Sequence, residues 1–166
     1  LGVTAGYESH AMEPAHIEAY RKIRGDGALT MRIAATMDAA DLAFDPTKVP
    51  DEASLLARPD LAKSWEEKRD PLFRFNGITL SRGGPCWPGY LRQNAPYPGP
   101  DGTLTSGKTF MPHEVEMLVV RYCLDHDLRF NMVLGGERDA DEFLATMDAL
   151  TKDIDAAQLD WVVQHV

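Results

Sequence analysis

The sequence predicts an α/β domain built on a parallel sheet, and three observations predict it. Strand-like and helix-like segments alternate along the 166 residues in the order β-α-β-α-β-α-β-α-β. The strand segments are mostly apolar along their whole length, the pattern of parallel strands covered by helices. No linker or internal repeat divides the chain, so a single domain over residues 1–166 with right-handed crossovers is expected.

Taken in order, residues 2–7 form a short strand-like run that ends in the polar tip Glu8-Ser9-His10. Pro14 to Arg24 read as a helix, because Ile17, Tyr20 and Ile23 recur at three-residue steps and Gly25 follows as a stop. "LTMRIAAT", residues 29–36, is the second strand. The acidic, proline-bearing stretch 45–51 reads as a loop between two or three short helical pieces, the last carrying Trp65. "FRFNGITLS", residues 73–81, is the third strand.

Residues 82–108 then break the rhythm. This segment of 27 residues holds five of the eleven prolines and six of the thirteen glycines. It far exceeds the usual connection of about 4–6 residues. Its aromatics, Trp87, Tyr90 and Tyr97, argue for an ordered lid or rim loop, since disordered segments are poor in them.

After it, Pro112 opens a helix with Glu114 and Glu116 in the first turn, where acidic residues complement the helix dipole. Val115, Leu118, Val119 and Tyr122 mark its apolar face. "LRFNMVL", residues 128–134, is the fourth strand. Phe143, Leu144, Met147 and Leu150 mark a last helix, and "LDWVVQHV" is a final strand with His165 at its tip.

Composition excludes several function classes. A net charge of −9 without a Lys/Arg stripe is a poor match to phosphate backbones, so no nucleic acid partner is expected. No run of 18 apolar residues exists, and no membrane partner is expected. The two cysteines, Cys86 and Cys123, are far apart and suit a reduced, cytoplasmic setting. Cys123 reads as a buried thiol in a helix.

Periodicity leaves two architectures open, a doubly-wound open sheet and part of a closed (β/α)8 barrel. "GVTAGYESH" lacks the G-x-G-x-x-G of a dinucleotide site. "SGKT" at 106–109 lacks the earlier glycine and the strand–helix context of a phosphate loop.

The succession of motifs resembles the metal-dependent amidohydrolases of the amidohydrolase family 3 type. "GVTAGYESHAMEP" is similar to that family's second strand and loop, and "LTMRIAATM" to its third. "FNGITLSRGG" sits at its fourth strand, "LRFNMVLGGERDAD" at its fifth, and "LDWVVQHV" resembles its R-I-E-H-A strand. The resemblance covers nearly the whole chain and implies a partial (β/α)8 TIM barrel of about five parallel strands. It also implies that the first-strand H-x-H ligands precede Leu1 and that a catalytic aspartate follows Val166. On that expectation the chain is a fragment, inactive alone, with two raw sheet edges that invite self-association.

The resemblance further implies a divalent metal such as zinc at the carboxyl ends of the strands, where it would activate water against a small-molecule substrate. His165 matches the sixth-strand ligand; the alternative is a hydrogen-bonded histidine at a strand end. Thr79 stands where the family often carries a carboxylated lysine, and Asn131 where it carries a histidine. Neither substitute replaces its ligand, since a hydroxyl cannot bridge two ions as a carbamate does and an amide oxygen binds zinc-like ions weakly. Glu8, His10, Arg82 and Trp87 are the candidate substrate-binding residues, with Arg82 a carboxylate clamp and Trp87 a pocket wall. Solvated or structural roles are their alternatives. Glu114 and Glu116 read as dipole decoration.

Three functions compete. One is hydrolysis of a non-peptide carbon–nitrogen bond through a metal-bound water. The second is a metal-free barrel kept for binding or assembly. The third is an unrelated α/β binding module with an open sheet.

Overall fold

A computed structural model describes residues 2–10, 12–39, 51–65, 70–84 and 87–165. Its main sheet has five parallel strands. They are β1 (Ala5–Glu8), β2 (Arg32–Asp38), β3 (Phe73–Ser81), β6 (Phe130–Val133) and β7 (Val162–Gln164), in that spatial order. The helices α1 (Pro14–Gly25), α2 (Glu52–Trp65), α3 (His113–Asp125) and α4 (Glu137–Leu150) are the crossovers. The sheet is a curled half-barrel flanked by helices, a partial (β/α) barrel.

The core lies between sheet and helices. Alternate residues of each strand face it: Ile33, Ala35 and Met37 from β2, Ile78 and Leu80 from β3, Phe130 and Met132 from β6. Ile17 of α1, Leu55 of α2, Val119 and Cys123 of α3 and Phe143 of α4 meet them. Within α1, Ile17 is buried but Ile23 is 41% exposed, so the three-residue steps overstate the apolar stripe. The helix N-terminus is secured by a reciprocal capping box between Glu13 and His16.

One strand does not alternate simply. Ala35 pairs with Phe75, but Met37 pairs with Ile78, so β3 carries one extra residue at Asn76-Gly77. This is a β-bulge, and Gly77 occupies it at φ +92° with its Cα against the Arg129 carbonyl. Phe73 and Phe75 reach the helices before the bulge, where they meet Tyr20 and Trp65. Ile78 and Leu80 do so after it. Thr79 therefore faces away from the helices; without the extra residue it would share the face of Phe73 and Phe75.

Several boundaries differ from the sequence reading. The last of the expected helical pieces, the one carrying Trp65, is a helix of 14 residues that runs through Pro59; residues 40–50 before it lie outside the described residues. The expected loop at 45–51 lies outside the described residues except for Asp51, and Cys86 lies outside them too. The long segment contains a small antiparallel hairpin, β4 (Tyr97–Pro98) with β5 (Leu104–Thr105). On α3 the buried face is Val115, Glu116, Val119, Val120 and Cys123, rotated from the predicted stripe. No helix among the described residues is long and apolar enough to cross a membrane.

Candidate functional site at the carboxyl rim

The carboxyl ends of the first and last strands touch. The Ser9 hydroxyl lies 3.1 Å from Gln164 Oε1 and 3.0 Å from Gln164 Nε2. Four strand spacings of about 4.8 Å would separate β1 from β7 by roughly 19 Å in a flat sheet. The contact exists because the sheet curls until side chains at the carboxyl ends of its two edge strands come within hydrogen-bond reach. One residue further on, the imidazoles of His10 and His165 face each other with ring centroids 5.6 Å apart and planes at 58°. Both residues are exposed overall, with the His10 ring partly covered, whereas Ser9 is buried.

Ser9 also orients His10. Its hydroxyl lies 3.1 Å from His10 Nδ1 and donates or accepts there according to the tautomer of the ring. Burial first, and the charge of His165 second, hold the His10 pKa below the ordinary histidine value. In the tautomer with its proton on Nδ1, the lone pair falls on Nε2.

Beneath the rim, Thr36, Thr79 and Asn131 form a buried polar row on the face turned from the helices. Thr79 Oγ1 is 2.5 Å from Thr36 Oγ1, and Asn131 Nδ2 donates to Thr79 Oγ1 at 3.0 Å. Thr36 passes its own proton to the Glu8 carbonyl at 3.4 Å. Asn131 Oδ1 is left buried with no hydrogen-bond partner among the described residues. Barrel interiors are ordinarily filled by branched apolar side chains, so a polar row here is unusual.

The other predicted residues go elsewhere. The Glu8 side chain turns toward α1 and accepts from the Tyr20 hydroxyl at 3.3 Å, away from the rim. Arg82 does clamp carboxylates, but internal ones. Only 3% exposed, it grips Glu116 at 2.6 and 2.9 Å and Glu142 at 2.6 Å. Glu116 is thus no dipole decoration; it is fully buried and also accepts from Thr146 at 2.6 Å. Burial pushes the carboxyls of Glu116 and Asp139 up despite these guanidiniums.

Arg92, from the long segment, binds Asp139 and Glu142 and so fastens that segment to α4. Gly136 permits the docking, since a Cβ there would lie 2.1 Å from the Arg92 carbonyl oxygen. Trp87 is half-exposed and clusters with Tyr90 and Phe110. Asn76, at the bulge, accepts from Arg129 at 2.8 Å.

The donor chemistry tests the metal that the resemblance implies. His165 is an exposed imidazole with no hydrogen-bond partner among the described residues, and it suits a single ion of the zinc kind. Thr79 is a neutral hydroxyl already engaged by Thr36 and Asn131, and it cannot bridge two ions. Among the described residues no three His, Cys, Asp or Glu side chains are placed to hold a metal ion. The residues present offer one imidazole, His165, to a single ion without by themselves completing its site, and they do not fit a bridged pair.

No protein-family model matches this sequence, and no curated protein is similar to it. Two solved structures share its fold. One is described as an uncharacterized metal-dependent hydrolase from Pyrococcus horikoshii OT3, at 15% identity and a TM-score of 0.63, over 89% of this chain and 27% of that one. The other is an uncharacterized metal-dependent hydrolase from Pyrococcus furiosus, at 15% identity and a TM-score of 0.62, over 88% and 27%. This chain therefore spans about a quarter of the length of the structures it matches. At this identity the likeness establishes the fold alone.

Proposed function

We propose that this chain forms part of the mouth of a barrel hydrolase that cleaves non-peptide, amide-like carbon–nitrogen bonds with the help of one divalent metal ion. The observation that carries the reading is His165, an unpartnered imidazole at the carboxyl rim, where strand ends of this architecture bear sites. The description of both structural neighbours as metal-dependent hydrolases supports the same class. A bound divalent ion supplies a hydroxide near neutral pH and polarises a carbonyl. The chain's own part is to hold His165 at the rim and to keep the His10 ring in one orientation through Ser9. The experiment is hydrolysis of a panel of simple amides and N-substituted formamides by the protein carrying this chain, with and without zinc. Activity removed by chelation, restored by zinc and reduced by His165→Ala is the expected result. Hydrolysis indifferent to chelation, or none with any metal, refutes it.

A second reading is a metal-free barrel retained for binding or assembly. The Thr36–Thr79–Asn131 row favours it, because the two positions that resemblance gives to metal ligands are instead joined by hydrogen bonds. It requires protein that holds no metal after growth in zinc-supplemented medium.

A further inference from the structure

We propose that His10 is the second protein ligand of the rim: His10, through Nε2, and His165 hold one divalent transition-metal ion between their imidazoles. The inference deepens the reading above, in which His165 alone faces the metal. Three observations carry it. The first is spacing. Two imidazoles bound to one tetrahedral ion at about 2.0–2.1 Å from nitrogen to metal set their ring centroids roughly 5 Å apart. The observed 5.6 Å with tilted planes needs only a small closure of exposed rings.

The second is the arrangement behind His10. A metal-binding histidine typically donates its other N–H to an oxygen that fixes tautomer and orientation. Ser9 Oγ lies 3.1 Å from Nδ1, placed to accept that N–H, and Gln164 holds Ser9 in turn. His10 Nε2 has no hydrogen-bond partner among the described residues. The third is backbone conformation. His165 sits at φ +63°, in the left-handed region that L-residues seldom adopt. Strain of this kind concentrates at functional sites. The pair binds a zinc- or copper-type ion with the remaining coordination positions open to water or substrate.

Zinc titration of metal-stripped protein by calorimetry, with imidazole-nitrogen NMR, tests the proposal. His10→Ala and His165→Ala should each weaken binding by more than about 100-fold. Ser9→Ala should weaken it by about 10–100-fold, the range for loss of an outer partner. With zinc bound, His10 should carry its proton on Nδ1, and zinc should move its Nε2 resonance. Unfolding curves of each variant, with His10→Gln as a second substitution, separate lost binding from lost fold. Zinc bound equally by wild type and a folded His10 variant overturns the pair while leaving a metal on His165. No zinc binding at all also overturns it. Zinc held by the pair in a protein that hydrolyses no amide supports the pair and removes the hydrolase reading instead.

Discussion

Replacing Arg82 by methionine isolates the interaction that ties the third strand to two helices. The guanidinium contacts Glu116 through both carboxylate oxygens and Glu142 through one. Glu142 and Asp139 keep Arg92 after the substitution. Glu116 does not: fully buried, it retains among the described residues only the hydrogen bond from the Thr146 hydroxyl. One uncompensated carboxylate is therefore left inside the protein. Removing one partner of a buried pair costs about 3–5 kcal/mol. For a chain of this size, that lowers the melting temperature by roughly 6–20 °C.

The loss should shrink on mild acidification, because a protonated Glu116 no longer needs its cation. Adding Glu116→Leu to Arg82→Met should recover much of the stability, since it removes the stranded charge. Urea unfolding followed by circular dichroism at several pH values measures all three. A loss below about 1 kcal/mol for Arg82→Met, the size of a surface pair, refutes the buried-pair reasoning. It would also return Arg82 to the list of residues free to bind a substrate.

Other perturbations probe other layers. Gly77→Ala places a Cβ 2.0 Å from the Arg129 carbonyl oxygen at a positive φ; it should cost about 3 kcal/mol or more, and a near-neutral melting temperature would deny the bulge. Thr79→Val removes the acceptor of Asn131 Nδ2 in a buried row, for a loss of about 1–3 kcal/mol; a solvated row would hardly notice it in chemical denaturation. Glu142 has its pKa held down to about 2, by the Arg92 hydrogen bond first and by Arg138 and the nearby charges besides, against burial. A depressed carboxyl contributes stability that is present above its ordinary value of 4.5 and lost as pH falls toward 2. Glu142→Gln should flatten the stability profile over that window, and profiles parallel to wild type would contradict the assignment.

The architecture was legible because parallel strands and their crossover helices write long apolar periodicities, and the bounds of β3 came out as read. Its bulge was not read, although the Asn76-Gly77 pair inside an apolar run is the available signal, a glycine where a strand needs none. The buried face of α3 differs from the predicted stripe because Glu116 is buried instead of decorating the first turn. Its spacing to Val119, Val120 and Cys123 already places it on the apolar side. The partners of Arg82 were beyond reach, since they depend on how two helices and a long segment pack together. The same holds at the rim: His10 and His165 were each singled out, but only the curl of the sheet brings the two ends of the chain within reach of one another.

That curl is tested most directly by a double cysteine, Ser9→Cys with Gln164→Cys, treated in solution with a short bifunctional thiol reagent and mapped by peptide mass analysis. The Ser9–Gln164 hydrogen bonds place the two backbones within one glutamine side chain of each other, and the account predicts that the reagent bridges 9 and 164 readily in the folded protein. A flat or open sheet holds these positions roughly 19 Å apart, and a folded variant that never forms the bridge would contradict the account.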